Sequence, residues 1–437
     1  MGYESLAGDL SLVLTGESLI TRALSPFRED GFLRLIQLLR AGDVTFTDAE
    51  MLFHDYEGCP GVAHTGTWMR ADPSLIDELK WAGIDLCATA MNHAYDFGET
   101  GVLVNIANLK KHGMVYAGTG ENLALARAPG YLDTPKGRVA LVAACDTMRV
   151  QGAKAVDQRP DMKGKPGVNL IAAEREYTVD HQAFADLTRI GAAMGFGAAA
   201  RGSGGGGVYR FGSGAVRMTI REGDRFGVTT LLDERDLADN MKWIREARKL
   251  ADWVLYSFHS GFHGAAFEDP ADHVVALAHA AIDAGADVFV GHGSHSDKGI
   301  ELYQGKPIFY SLGDFILQND TVLRQPADAY ALFGLGADAT PGEFYDARSG
   351  TQTRGQDVKA VYWQTAVATV RWRDHRLEEI RLTPVDLGMG LPRGQRGRPM
   401  PAEPPLAGQI LERFQRMSAP FGTRIEIVGD CGVITAG

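Results

Sequence analysis

Residues 285–295 read GADVFVGHGSH, a short apolar run that is followed at once by two histidines. The run Val288–Val290 is bounded by turn residues, a pattern that predicts a buried strand. In α/β sheets, ligand sites form just beyond the carboxyl ends of the strands. His292 and His295 therefore occupy positions where a functional site is expected.

The same arrangement recurs along the chain, with metal-binding residue types directly after predicted strands: Glu17 after LSLVLTG, Asp48 and Glu50 after VTF, Asn92 and His93 after DLCATA, and His259 after WVLYSF. Taken singly, the carboxylates are also compatible with helix N-caps or solvated turns, the asparagine with a turn, and His259 with a core histidine. Together they indicate one crevice. Carboxylate, amide and imidazole ligands suit Mn, Fe, Zn or Mg-type divalent ions, and no thiolate pattern accompanies them.

Outward from these residues, apolar runs alternate with amphipathic segments, which predicts a layered α/β protein. The predicted strands are Leu10–Leu14, Val44–Phe46, Leu86–Ala90, Val139–Ala144, Trp253–Phe258, Val288–Val290 and Pro307–Leu312. The predicted helices are Phe32–Arg40, Ser74–Trp81, Gly101–His112, Leu237–Leu250 and Asp272–Ala284.

Residues 151–227 break this alternation, and the run 195–214 contains GSGGGG, which is too rich in glycine for a helix or a strand core. We interpret this excursion as a lid over the site; a plain surface loop is the alternative. Beyond it, Val361–Trp372 and Leu377–Leu382 predict a hairpin. A Pro/Gly/Arg-rich connector, a helix near Leu406–Met417 and a short terminal strand follow.

The overall composition and charge of the chain indicate which kinds of partner it is unsuited to bind. The chain has 437 residues, 45% of them hydrophobic and 23% charged, with a formal net charge of -11 and a pI near 5.6. This balance argues against general binding to nucleic acid or to anionic membranes. Widely spaced cysteines predict neither disulfides nor a zinc-thiolate site. The N-terminal residues lack the features of a signal peptide, so we expect a cytoplasmic protein.

Six segments, read in order, carry a resemblance to a known family: TGES…R, TDAE, AMNHAYDFGETG, YSFHSG, GADVFVGHGSH and GKPIFYSLGDFIL. This series resembles the motifs of the poly-gamma-glutamate capsule-synthesis (CapA-type) proteins within the calcineurin-like metallophosphoesterase superfamily. The resemblance implies a metallo-dependent phosphatase-like αββα sandwich with a C-terminal hairpin and helix extension. It further implies a catalytic core over residues 1–330, with the excursion 151–227, and an extension over 331–437 that completes the sandwich.

The resemblance also implies roles for individual residues. The metal ligands would be Glu17, Glu50, Asn92, His259, His292 and His295. His93 would be the acid or base beside them. Arg22 and Arg70 would hold an anionic group of the substrate, with a structural ion pair as the alternative for each.

Departures from the family pattern bear on the chemistry. The first motif has Glu17 in place of aspartate, and Leu19 stands where the superfamily has a metal-binding histidine. Asp48 and Asp314 replace asparagines of the family motifs. Carboxylates beside His93 and His295 would make these imidazoles more basic, so Asp48 and Asp314 join the two histidines as candidate catalytic residues.

Three functions follow as hypotheses. The first is a metal-dependent hydrolase of a phosphoester or an amide or peptide, with one or two divalent ions (Mn, Zn, Fe, Mg or Ca). The second is a metal-assisted epimerase in which His93 and His295 act as opposed bases. The third is a non-catalytic component of polyglutamate synthesis. The expected partner is a small-molecule or peptide substrate, without nucleic acid or membrane, and the sequence leaves the oligomeric state open.

Overall fold

The computed structural model describes residues 7–61, 66–146, 152–197, 200–201, 206–213 and 216–435. The chain forms two compact units, one of residues 1–170 with 239–437 and one of residues 171–238. Its helices are α1 (Asp30–Arg40), α2 (Leu75–Ala82), α3 (Gly98–Lys111), α4 (Leu123–Arg127), α5 (His181–Ala193), α6 (Glu234–Leu250), α7 (Asp272–Asp283), α8 (Ala327–Leu332), α9 (Pro341–Ser349) and α10 (Leu406–Ser418). Within the described ranges, no helix is both long and apolar enough to cross a membrane.

The strands of the first half are β1 (Leu10–Leu19), β2 (Val44–Asp48), β3 (Leu52–Phe53), β4 (Arg70–Ala71), β5 (Leu86–Ala88), β6 (Val115–Ala117), β7 (Thr119–Gly120), β8 (Gly130–Thr134), β9 (Gly137–Cys145), β10 (Gly167–Val168), β11 (Ala173–Val179), β12 (Ala200–Arg201) and β13 (Gly207–Ser213). Those of the second half are β14 (Val216–Glu222), β15 (Gly227–Leu232), β16 (Trp253–His259), β17 (Val288–His292), β18 (Ile300–Tyr303), β19 (Lys306–Phe309), β20 (Asp314–Leu317), β21 (Gln364–Arg373), β22 (Arg376–Asp386), β23 (Met400–Pro401), β24 (Glu426–Val428) and β25 (Cys431–Thr435).

Two large sheets build the larger unit. Sheet A has ten strands in the order β24-β25-β22-β21-β1-β2-β5-β6, with β20 also paired to β1 and β23 to β22. Sheet B has six strands in the order β18-β19-β17-β16-β9-β8. Strands β1, β2, β5 and β6 of sheet A run parallel, and so do β9, β16, β17 and β19 of sheet B. Each sheet therefore presents several carboxyl ends at one edge.

The core shows why these segments form strands. Along β1, Leu12 and Leu14 belong to a cluster that also contains sheet B residues, whereas Val13 belongs to a cluster with α1 and α2. Successive strand side chains point to opposite faces, so the run Leu12–Leu14 of β1 is covered on both sides and is apolar for that reason. Full burial of one such side chain stabilises the fold by about 1.5–3 kcal/mol. With sheets facing each other and helices outside, the predicted αββα sandwich is confirmed.

The smaller unit, residues 171–238, contains a five-stranded sheet in the order β12-β13-β14-β11-β15. Its core cluster is formed by Val179, Phe184, Tyr209 and Ile220. The prediction that the run 195–214 cannot form a strand is wrong for β13, because Val208, Tyr209 and Phe211 supply the side chains that the neighbouring glycines lack. Residues 198–199, 202–205 and 214 lie outside the described residues, and the lid remains a prediction.

Most predicted elements of the larger unit are confirmed with boundaries shifted by a few residues. One element differs in kind. The predicted strand Pro307–Leu312 ends at Phe309, and a separate strand, β20, starts at Asp314 after Gly313, whose φ is +68°. The chain thereby leaves sheet B and joins sheet A beside β1. The predicted hairpin is present as β21 and β22, which pair within sheet A, while the division at residue 330 remains a prediction.

A close approach at Gly16 sets the geometry of β1. The register of β1 against β2 shifts between Leu14 and Glu17, a bulge that turns the following side chain. The Glu17 N–H donates to the Gly313 carbonyl at 2.9 Å. A Cβ atom on Gly16 would lie 1.8 Å from that same carbonyl oxygen. Only glycine allows β1 and the start of β20 to meet here.

We expect Gly16→Ala to lower the free energy of unfolding by about 1–3 kcal/mol, the usual range for overpacking, because the backbones of β1 and β20 must separate. The control is Gly408→Ala in α10, where nothing lies within 4 Å of the new Cβ and where alanine should stabilise the helix by up to about 1 kcal/mol. Denaturant unfolding of both variants checks this. Equal stability of Gly16→Ala and the parent protein would contradict the close approach.

Candidate metal centre

Strand register brings the predicted residues to one edge of each sheet. In sheet A, Glu17 is paired in register with Asp48 of β2 and with Asp314 of β20. In sheet B, His259 of β16 is level with His292 of β17. Glu17, Asp48, His259 and His292 lie at or near the carboxyl ends of parallel strands, where the sequence predicted the site. Asp314 differs, because it is the first residue of β20.

Four of the predicted residues form one tight group: Glu17, Glu50, His295 and Asp314 each offer a ligand atom, and these atoms lie within 4.8 Å of one another. The Nδ1 atom of His295 lies 2.7 Å from Glu17 Oε2, 2.9 Å from Asp314 Oδ1 and 3.6 Å from Glu50 Oε2. The three carboxylates are buried, while the His295 side chain is 19% exposed. His295 also has a positive φ of 53°, an uncommon conformation for a residue other than glycine.

The electrostatics of this group favour positive charge. Burial raises the pKa of Glu50 well above its usual value, and the neighbouring carboxylates add to the effect. Burial likewise raises the pKa of Asp314 to about 7, although His295 opposes it. Burial alone would lower the pKa of His295, but the three carboxylates raise it well above the ordinary range. Burial would also raise the pKa of Glu17, yet His295 holds it below its usual value. A cation at this position is therefore stabilised.

A hydrogen bond between the sheets prepares His259 as a ligand. Its Nδ1 atom lies 2.8 Å from Asp48 Oδ2, and both side chains are buried. With Nδ1–H donated to the carboxylate, Nε2 carries a free lone pair, the arrangement that commonly orients a metal-binding histidine. Next to it, burial holds the pKa of His292 below its usual value, against the effect of Asp48 and Glu17, so this imidazole is neutral and able to coordinate.

His93 forms a second imidazole–carboxylate pair. Its Nδ1 atom lies 2.6 Å from Asp96 Oδ2, which also accepts a hydrogen bond from the Met69 N–H at 2.8 Å. The Nε2 atom of His93 is 3.7 Å from Glu50 Oε1. Sequence reasoning missed Asp96 as the partner of His93, although the spacing of three residues in NHAYD was a visible signal.

Buried ligand atoms without hydrogen-bond partners test whether a metal fits. Among the described residues they include Asp48 Oδ1, both oxygens of Glu50, Asn92 Oδ1, both ring nitrogens of His292, and Asp314 Oδ2. A buried polar atom that stays unpaired costs about 1–3 kcal/mol. Oxygen and imidazole atoms left open around one carboxylate cluster are the donors that a divalent transition metal requires, so the residues fit such an ion.

The two predicted arginines are engaged elsewhere. The backbone N–H of Arg22 donates to Gln318 Oε1, and its guanidinium donates to the Arg396 carbonyl. Burial lowers the pKa of this guanidinium, and the Asp320 carboxylate opposes that effect. Arg70 donates to the His54 carbonyl at 2.7 Å and to Asp55 Oδ1 at 2.8 Å. Their roles as substrate-binding residues remain predictions.

A further buried network, also missed from the sequence, lies at the same edge of sheet B. Asp146 Oδ2 accepts hydrogen bonds from Ser260 Oγ at 2.8 Å and from His273 Nε2 at 2.7 Å. Ser260 directly follows His259, so this network fixes the chain beside a predicted ligand. Asp146 directly follows β9, Ser260 directly follows β16 and His273 lies in α7. Their separation in sequence left no local signal.

Comparison with known proteins identifies the family of the chain. The family described as "Bacterial capsule synthesis protein PGA_cap" matches residues 5–319. Two proteins of Sinorhizobium fredii, y4uA and y4sH, are each 35% identical over 97% of this chain and 92% of their own length. A probable polyglutamine synthesis accessory protein of Mycobacterium tuberculosis is 28% identical over 56% of this chain and 49% of its own. The PGA biosynthesis protein CapA of Bacillus subtilis is 48% identical over 17% of this chain and 19% of its own. The resemblance seen in the motifs is thus confirmed.

We expect Asp48→Asn to weaken divalent metal binding about 10–100-fold, because the amide no longer orients His259 as the carboxylate does. The control is Asp287→Asn at the residue that directly precedes β17. The Asp287 carboxylate pairs with Arg248 and Lys306 and accepts a hydrogen bond from the Val254 N–H. Calorimetric titration with Mn²⁺ and Zn²⁺ measures both variants. Unchanged affinity in Asp48→Asn, or an equal loss in the control, would contradict the role of the hydrogen bond.

Proposed function

This chain belongs to the family of bacterial capsule synthesis proteins described as PGA_cap, and we propose that it is a metal-dependent hydrolase of a phosphoester or of an amide or peptide substrate. The observation that supports this proposal is the set of buried, unpartnered ligand atoms around Glu50. Such a set costs free energy unless a cation satisfies it. The second support is His93, which is held by Asp96 against the same carboxylate.

Two overlapping ligand groups would hold the metal. Glu17, Glu50, His295 and Asp314 form the first, whose atoms already lie within 4.8 Å of one another. His259, His292 and Asn92 would form the second with Glu50, and one or two ions of Mn, Zn, Fe, Mg or Ca type are accommodated by these donors. A bound divalent ion supplies Lewis acidity, which makes water more acidic and polarises a phosphoryl or carbonyl oxygen.

His93 is the residue proposed to move a proton. The carboxylate of Asp96 accepts from Nδ1–H, which fixes the ring and leaves Nε2 to face Glu50. An imidazole in this orientation donates a proton to a leaving group through Nε2 and recovers it afterwards. Its neighbour Asn92 would contribute its unpartnered Oδ1 atom to the metal.

Metal analysis followed by a substrate screen tests the proposal. Purified protein loaded with Mn²⁺ or Zn²⁺ is assayed with p-nitrophenyl phosphate, bis-p-nitrophenyl phosphate and peptide p-nitroanilides. We expect at least one divalent ion per chain and turnover that chelation abolishes. Protein that binds no divalent metal contradicts the metal centre. Full metal occupancy without hydrolysis of any ester or amide would contradict the hydrolase and leave the epimerase and the non-catalytic role in capsule polymer synthesis, which an assay in deuterated water separates.

We expect His93→Gln to retain metal and to lower kcat about 10²–10⁴-fold, because the side chain can no longer transfer a proton. The matched control is His112→Gln, which breaks a similar pair, His112 Nδ1 to Asp77 Oδ1 at 2.9 Å, on the surface at the end of α3. Metal content, melting temperature and kcat are measured on both variants. Turnover in His93→Gln equal to that of the control would exclude the acid/base role.

An epimerase is the second candidate, and one observation favours it. Each carboxylate oxygen of Glu50 faces a different imidazole: Oε1 lies 3.7 Å from His93 Nε2 and Oε2 lies 3.6 Å from His295 Nδ1. Each imidazole has a further carboxylate partner, so two acid/base units flank one centre. Such units could remove a proton α to a carbonyl on one side and return it on the other. Solvent deuterium incorporation without a gain of water distinguishes this reaction from hydrolysis.

We expect His295→Asn to remain folded, because the His295 side chain is 19% exposed and asparagine keeps a polar side chain of similar reach. Loss of metal would identify His295 as a ligand. Retained metal with lost turnover would identify it as an acid or base. A destabilised but active variant would contradict both roles. Melting temperature, metal content and turnover are measured together.

A further inference from the structure

We infer that Tyr56, Arg70 and Arg324 form a binding site for an anionic group of the substrate, with Arg324 as the residue that selects it. The Arg70 guanidinium lies 4.4 Å from the centre of the Tyr56 ring, and that of Arg324 lies 4.8 Å from the same centre. This arrangement brings two cations to one aromatic ring, where they repel each other. Placing them together is favourable when an anion is shared between them or nearby.

Tyr56, whose ring contacts both guanidinium groups, has an unusual backbone conformation. Tyr56 has a φ of +62°, which is rare for a bulky residue and strains the backbone. Its N–H donates to His54 Nδ1 at 2.9 Å, and its ring packs edge-on at 6.2 Å from that of Phe97. The surroundings therefore fix the ring at some cost in strain.

Arg324 is fixed by the residue next to it. The side-chain amide of Gln325 accepts from the Trp68 N–H at 2.8 Å and donates to the Trp68 carbonyl at 3.2 Å. This two-way bond attaches the segment after β20 to the chain just before β4. Arg324 and Arg70 are thereby placed on the same ring although they are far apart in sequence.

The charges of the two arginines are compensated differently. Arg70 forms ion pairs with Asp55 at 2.8 Å and with Asp72 at 3.7 Å. Among the described residues, no carboxylate lies within ion-pair distance of Arg324, whose guanidinium contacts the Tyr56 ring. In a chain with a net charge of -11, an ordered arginine without an acidic partner is available to a ligand. Its planar fork suits the two oxygens of a carboxylate or a phosphate.

Short contacts connect this site to the proposed acid/base. Arg70 directly follows Met69, whose N–H bonds the Asp96 carboxylate that holds His93. On its other side, Arg324 lines a surface hollow of about 370 Å³ together with Leu323, Gln325 and Tyr330. An anionic group bound by Arg324 and Arg70 would anchor the substrate next to Met69, whose N–H bonds the partner of His93, and the hollow offers room for a further part of the substrate. The role in substrate selection rests on the proposed function, whereas the anion binding does not.

Binding of succinate and of inorganic phosphate, measured by calorimetry on chelator-treated protein at low salt, tests the site without turnover. We expect Arg324→Gln to weaken binding at least tenfold and Arg324→Lys to recover part of it, because lysine keeps the charge but not the fork. Arg40→Gln is the control, since Arg40 lies 4.8 Å over the Trp81 ring in an equivalent stack elsewhere; it should bind like the parent protein.

The probes and the metal assay separate the outcomes. A loss confined to succinate identifies a carboxylate ligand, and a loss confined to phosphate identifies a phosphate ligand. Failure of the parent protein to bind either probe, or equal binding by Arg324→Gln, would overturn the site. Metal content and turnover, measured on portions of the same preparations that are loaded with metal and not treated with chelator, are independent readouts, so a failed hydrolase assay with an intact Arg324 effect contradicts the proposed function alone.

Discussion

The buried carboxylates of Glu17, Glu50 and Asp314 impose the constraint on which the site depends. Three such groups within a few ångströms repel one another and lose their hydration, and each effect destabilises the charged forms. The structure offsets this with His295 and with the Gly293 N–H, which donates to Glu17 Oε1 at 2.6 Å. These compensating groups come from the loop after β17 in sheet B, whereas Glu17 and Asp314 belong to sheet A. The charge balance of the site thus also joins the two halves of the sandwich.

Much of this arrangement could be predicted from the sequence because it is local. A buried parallel strand reads as a short apolar run, and the residue that follows it lies at a known edge of the sheet. Glu17, Asp48, His259 and His292 were found in this way, and the register of their strands brings them level. The order of the motifs supplied the family, which the match over residues 5–319 confirms.

Other features could not be predicted because they depend on backbone contacts between residues that are far apart in the sequence. Within the segment GKPIFYSLGDFIL the sequence predicts one strand, Pro307–Leu312. In the structure the chain turns at Gly313, so that Asp314 lies in sheet A and pairs with Glu17. Asp314 therefore lies with the predicted metal ligands Glu17, Glu50 and His295, and not only with the candidate acid/base residues. The compact unit of residues 171–238 was not predicted, because its glycine-rich composition does not show that Tyr209 and its neighbours form a small core.

The position of β1 has a consequence for how the chain reaches its native state. β1 lies between β2 and β21, and its Leu12 is paired with Val370. Contacts so distant in sequence carry a large loop-closure cost and form late, which slows folding. During synthesis, β1 must remain an open apolar edge until β21 has emerged, and such edges pair with other chains. The strand that carries the predicted ligand Glu17 is thus also one that needs protection on the ribosome.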